Sequence, residues 1–202
     1  VSLVGSEMCI RDRFYIYTLF LFLLFSSCKS KKYYEAFDFT KEHEFTSGIE
    51  GPASDDVGNI YAVNYRRAGT IGIVNSQGKI ALYAELPNNS VGNGIRFDNL
   101  GNRYIVDYVN HTVFKIAKDT RKIESYVQKS TMNQPNDLTI SPEGILYLSD
   151  PNWKENTGNL WMVLNKEVIL LECNMGTTNG IEVNPEGTRL YVNESYQKKI
   201  WE

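Results

Sequence analysis

From residue 48 onward, apolar and polar positions alternate in short runs bounded by turn residues. No stretch repeats at helical spacing. Ile95 and Phe97, then Tyr104 and Val106, are separated by single intervening residues, as are Leu138 and Ile140. A period of two predicts strands, because successive side chains of a strand point to opposite faces. Between paired runs lie Asp98-Asn99-Leu100-Gly101 and Pro142-Glu143-Gly144, turn chemistry with glycine where a positive φ is needed, so each pair is a hairpin. A third strand is predicted at 70–74, 112–116 and 159–163, and a fourth at 79–83, 123–127 and 167–171, with Asn75-Ser76-Gln77-Gly78 and Lys118-Asp119-Thr120 as turns.

These elements recur. Segments opening at Glu50, Asn93, Asn136 and Asn179 align without gaps at a step of 43 residues, and the turn glycines Gly58, Gly101, Gly144 and Gly187 keep the same step. Units of about 40–45 residues with four strands each are the blades of a β-propeller. The expected fold is therefore all-β, with about four blades in 48–202, the fourth stopping inside its third strand at Ile200-Trp201-Glu202.

The N-terminal region reads differently. Residues 1–13 resemble a translated sequencing adapter and are set aside from the fold. Residues 14–25 form an apolar run short for a membrane span and of the length of a signal core, ending in Phe25-Ser26-Ser27-Cys28. The expectation is a lipoprotein signal over 14–28, lipidation at Cys28, and an exported protein tethered at the periplasmic or cell-surface side of a membrane. Residues 29–47 are expected to be a tether, with room for one strand. Cys173 follows the apolar run 168–171 and is expected to be a buried structural thiol, and no disulfide framework is expected.

The formal net charge is −3 and the basic residues are scattered, which argues against a nucleic-acid face. The chemistry lies in the repeat. Innermost strands of a propeller open at one rim of the central channel, so Glu50, Asn93, Asn136 and Asn179 are expected to converge there. One carboxylate and several amide oxygens suit a hard divalent cation, calcium first, with zinc, magnesium or manganese as alternatives. Asn-Gly is also an ordinary hairpin turn. Each unit, however, already has its turn eight residues later. A second polar position recurs at Asn64, Asp107 and Asp150, with Asn193 or Glu194 fourth, at the end of the returning second strand and so at the same rim. Asp107 and Asp150 are the acid–base candidates.

At Glu50-Gly51-Pro52, Gln134-Pro135-Asn136-Asp137-Leu138, Leu146 through Pro151, and Thr178-Asn179-Gly180-Ile181, the chain resembles the family of senescence marker protein (regucalcin), gluconolactonase and luciferin-regenerating enzyme. The resemblance implies a six-bladed propeller of which this chain holds the first four blades. It implies hydrolysis of a lactone or related ester by a monomer that holds a divalent ion. Glu50, Asn136 and Asn179 match three ion ligands, Asn136 standing nearer the substrate in some members, and the fourth ligand, an aspartate, is expected beyond Glu202. An arginine that grips sugar hydroxyls in some members has no counterpart in Ser130-Thr131-Met132-Asn133-Gln134. Asn93, Arg66 and Trp153, on the same rim, are the remaining substrate-binding candidates. Two rival readings keep the architecture without this metal role: a non-catalytic binding or scaffold propeller of the NHL type, and a strictosidine-synthase-like propeller.

Overall fold

The structure is a computed structural model that describes residues 34–202. The adapter-like segment, the apolar run and Cys28 lie outside the described residues. Residues 39–202 form one compact unit, Phe39–Glu202. The described strands make four antiparallel sheets, each ordered as in sequence. The first holds β1 (Ala53–Ser54), β2 (Ile60–Val63), β3 (Thr70–Val74) and β4 (Ile80–Glu85). The second holds β5 (Gly92–Phe97), β6 (Arg103–Asp107), β7 (Thr112–Ile116) and β8 (Ile123–Gln128), and the third β9 (Leu138–Ile140), β10 (Leu146–Asp150), β11 (Asn159–Leu164) and β12 (Glu167–Glu172). The fourth has three strands, β13 (Thr178–Val183), β14 (Leu190–Glu194) and β15 (Lys199–Trp201). These are four successive propeller blades.

Local chemistry sets each inner hairpin. Asp55 accepts hydrogen bonds from the backbone N–H groups of Val57 (3.2 Å) and Asn59 (2.8 Å), and Asp98 accepts from Leu100 (3.0 Å) and Asn102 (2.8 Å). Gly58, Gly101, Gly144 and Gly187 take φ of 85°, 78°, 82° and 70°, which a side chain would strain. The turns therefore pin register, and register decides which face is buried.

Three apolar clusters hold consecutive blades together. Tyr61, Val63, Ile71 and Tyr83 of the first blade pack on Ile95, Ile105, Phe114 and Ile116 of the second. Tyr104, Val106, Val113 and Val127 of the second meet Leu138, Leu148, Trp161 and Val163 of the third, and Leu160 of the third meets Ile181 and Val192 of the fourth. Each fully buried aliphatic side chain of this kind contributes about 1.5–3 kcal/mol. Blade-to-blade packing, rather than any single sheet, makes the fold.

Two expectations are corrected here. The predicted tether of 29–47 is packed chain from Phe39 on. Phe45 pairs with Tyr65 in an isolated bridge with rings 5.8 Å apart, Thr46 N donates to Asn64 O (3.0 Å), and a Cβ on Gly72 would lie 3.0 Å from the Phe45 ring. Phe45 packs on the first blade beside Tyr65 and Gly72. Cys173, expected to be buried, is exposed. The apolar run before it is β12, the edge strand of its blade, where Leu170 and Leu171 are themselves exposed.

Candidate functional site

The four strand-opening residues stand where expected in the chain: Asn93 and Asn179 second in β5 and β13, Asn136 and Glu50 just ahead of β9 and β1. Their backbones interlock across blades. Asn136 O accepts from Gly94 N (3.1 Å) and from Asn93 Nδ2 (2.8 Å), while Asn136 N donates to Ser149 O (2.9 Å). Gly51, at φ 56°, lies so close to the second blade that a Cβ would fall 2.0 Å from Asn93 O. No other residue could bring the two inner strands this near.

What these residues leave free is informative. Asn93 and Asn179 spend only their Nδ2 groups, the latter on Ser195 Oγ (3.1 Å). Among the described residues, no hydrogen bond engages the Oδ1 of Asn93, Asn136 or Asn179, and the exposed Glu50 accepts only from its neighbour Gly51 N (3.3 Å). Three neutral amide oxygens and one carboxylate with open lone pairs are donors that fit a hard cation. No group of three or more His, Cys, Asp or Glu side chains suited to a metal occurs among the described residues, so any cation site here rests on the amides.

The second recurring position does something else. Asp150 is fully buried and accepts from Asn133 N (2.8 and 3.0 Å to its two oxygens), Gln134 N (2.7 Å), Trp161 Nε1 (2.8 Å) and Asn159 Nδ2 (3.2 Å). Asp107, also fully buried, accepts from Val91 N (2.9 Å), Val109 N (2.9 Å) and Asn110 N (3.2 Å). Glu194 accepts from Thr177 N (2.7 Å), Thr177 Oγ1 (2.8 Å), Tyr196 N (3.1 Å) and Gln197 N. Burial alone would raise the Glu194 carboxyl, but these bonds outweigh it and hold it below the ordinary range. In the first blade the partner is a carbonyl: Asn64 Nδ2 donates to Gly48 O (2.6 Å).

The reach back along the chain is 16 residues at Asn64, Asp107 and Asp150, and 17 at Glu194. Each side chain thus buckles the end of its second strand to the chain entering the blade. Asp appears where that chain offers N–H groups, and Asn where it offers a carbonyl. This is a correction to the acid–base assignment, since Asp107 and Asp150 have no solvent-facing lone pair with which to exchange a proton with a substrate.

A different carboxylate, which the sequence reading passed over, stands at the rim. Where three blades have Gly51, Gly94 and Gly180, the third has Asp137. Its carboxylate accepts from Leu138 N (2.8 Å), Arg96 Nη2 of the second blade (3.1 Å) and Ile181 N of the fourth (3.4 Å). Arg96 Nε lies 3.9 Å from Glu182, extending the network. Burial pushes the Asp137 carboxyl above its ordinary value, with Arg96 the first opposing influence. The side chain keeps 17% exposure. A break in the glycine column was the available signal.

Arg66, at φ 58°, lies 4.9 Å over the Tyr65 ring and 4.0 Å from Glu44. Trp153 is exposed in a turn with no bonded partner among the described residues. Neither is brought into contact with the strand-opening set.

Residues 50–202 match the family model described as the SMP-30/Gluconolactonase/LRE-like region. The chain belongs to this family. A gluconolactonase of Zymomonas mobilis subsp. mobilis is 28% identical over 119 residues, covering 51% of this chain and 33% of that protein. Among solved structures, a calcium-binding regucalcin of Agrobacterium tumefaciens superposes with TM-score 0.61 at 19% identity, over 82% of this chain and 58% of that one. A gluconolactonase of Xanthomonas campestris does so with TM-score 0.64 at 15% identity, over 78% and 58%. The chain thus spans about a third of its curated SMP-30/gluconolactonase relative and just over half of these structures.

Proposed function

We propose that this chain is part of a divalent-cation-dependent hydrolase acting on a lactone or related ester, with calcium the preferred ion. The observation that carries this reading is the set of open oxygen acceptors at Glu50, Asn93, Asn136 and Asn179, on a backbone tied down by Val63 N at Glu50 O and by Gly94 N at Asn136 O. Glu50, Asn136 and Asn179 would hold the ion, with Asn93 on the substrate side. When bound, such an ion polarises a carbonyl and acidifies water.

The protein's own contribution is preorganisation. Cross-blade bonds at Asn136 O and Asp137 fix the inner strands, so the amide oxygens need not reorganise when charge develops. Asp137, partly exposed beside Asn136 and raised by burial, replaces Asp107 and Asp150 as the carboxylate suited to take a proton. A carboxyl with a raised pKa is a better base than an ordinary one. Export and a lipid tether at Cys28 belong to the same proposal. Lipid labelling retained in Cys28→Ser would contradict that part.

Acid release from an aliphatic δ-lactone tests the activity. Calcium should accelerate it, chelation should suppress it, and Glu50→Gln should lower it by about two orders of magnitude, because neutral ligands alone bind a doubly charged ion poorly. Equal rates for the two proteins, with and without chelator, would end this reading.

A further inference from the structure

At the opposite end of the same strands, the second strands of the blades begin with Ile60, Arg103, Leu146 and Leu190. Three of these are aliphatic, Leu146 in the core and Ile60 and Leu190 partly buried. The fourth, Arg103, is only 7% exposed, and among the described residues no carboxylate lies within ion-pair distance of it. Its guanidinium sits among three rings, 5.0 Å from Tyr61, 5.2 Å from Tyr83 and 5.1 Å from Phe97. Nη1 donates to Gly101 O (3.0 Å) and Nη2 to Tyr61 Oη (2.8 Å). Arg103 Nε and the Tyr83 hydroxyl are closed off without any hydrogen-bond partner. The Tyr61 hydroxyl in turn donates to Asp55 Oδ2 (3.1 Å), so a counter-charge reaches Arg103 only through that hydroxyl. A buried cation with no direct ion pair, and with a buried N–H left over, costs the fold stability that leucine would not.

Both groups line a cleft of about 610 Å³ formed by the first hairpins of blades one and two and by the β7–β8 turn. Arg121, exposed on that turn, lies 5.1 Å over the Tyr83 ring. Burial raises the Tyr83 phenol, opposed first by Arg103 and then by Arg121, while Asp55 adds weakly to the rise. The acidic residues at the cleft are mostly spent. Asp55 and Asp98 are turned onto their own hairpins, and Asp56 faces Lys118 at 3.8 Å. Asp119 is the lining carboxylate with neither a hydrogen bond nor an ion pair among the described residues.

We propose that this cleft is a second ligand site, for a small oxyanion of the carboxylate or phosphate class. Arg103 Nε and the Tyr83 hydroxyl are its buried donors, and the Arg121 side chain re-orients from the ring onto the bound anion. The anion supplies Arg103 with a direct counter-charge, where the Asp55 carboxylate reaches it only through the Tyr61 hydroxyl. Nothing in this assignment depends on the hydrolase reading, since the strand-opening rim lies at the other end of the blades.

Calorimetric titration of the whole chain with inorganic phosphate, and separately with gluconate, tests it. Saturable binding of either probe is expected, and which one binds tells phosphate from carboxylate. Arg103→Leu should weaken it at least tenfold while raising Tm by about 5 °C, since it restores the aliphatic residue of the repeat. Tyr83→Phe should weaken binding severalfold without loss of stability, Asp119→Asn should strengthen it, and Glu50→Gln should leave it unchanged. If Arg103→Leu fails to fold, Tyr83→Phe and Asp119→Asn decide. No saturable heat with either probe, or affinities unaltered in those variants, would overturn the proposal.

Discussion

The opening ends of the inner strands and the closing ends of the second strands meet at one rim, repeat at one interval and are both rich in Asn, Asp and Glu, yet they differ in what their oxygens do. At the closing ends, Asp107, Asp150 and Glu194 are buried and filled by N–H donors from their own blades. At the opening ends, the oxygens of Asn93, Asn136, Asn179 and Glu50 are nearly unclaimed while the backbones carry the structure. A recurring polar residue is therefore a brace when its lone pairs are satisfied within the fold, and a candidate ligand when they are not. Hydrogen-bond saturation separates the two where residue type and spacing cannot.

The sharpest way to break this distinction is to remove a brace. Asp150→Ala should destabilise the protein by about 3–5 kcal/mol, because it leaves buried N–H groups of Asn133, Gln134 and Trp161 without an acceptor. Equilibrium urea unfolding measures this, and a loss below about 1 kcal/mol would mean the buckle is ornamental. Asp150→Asn should recover little, since its amide NH₂ would meet those same donors.

Next in size is the close approach between blades. Gly51→Ala forces a Cβ onto Asn93 O at a positive φ, and should cost about 1–3 kcal/mol and weaken cation binding together. Loss of stability with cation affinity intact would separate the backbone interlock from the site. A smaller effect is expected from acid. The Glu194 carboxyl is held below its unfolded value, so the stability it contributes is present above the unfolded pKa and lost as pH falls through the folded one. Stability of Glu194→Gln, followed from pH 6 to pH 3, should fall less steeply than that of the unaltered chain.

Much of the architecture was legible in the sequence, because the strand period and the turn glycines both kept the same step. The third strands at Thr70–Val74 and Thr112–Ile116 lie where alternation put them. What was not legible depended on contacts between repeats. The packing of Phe45 on Tyr65 and Gly72 cannot be read from a segment with no period of its own. The exposure of Cys173 follows from β12 being an edge strand, and an apolar run looks alike at an edge and in a core. Asp107 and Asp150 looked catalytic because the N–H groups of Val91 and Gln134 that claim them lie 16 residues back, although the bonds of Asp107 to Val109 and Asn110 are ordinary turn chemistry. Asp137 and Arg103 were visible as breaks in a column of glycines and a column of aliphatics, a signal that appears only when the repeats are compared position by position.

The central claim is that the open oxygens of the strand-opening residues hold a cation while the closing residues hold the fold. Calcium titration by calorimetry, on the full-length protein and on its Glu50→Gln variant, tests this most directly. The account predicts saturable calcium binding that weakens at least tenfold in Glu50→Gln, with unfolding free energy unchanged within about 0.5 kcal/mol. Identical calcium affinity in the two proteins, or a Glu50→Gln protein that loses stability without losing affinity, would contradict it.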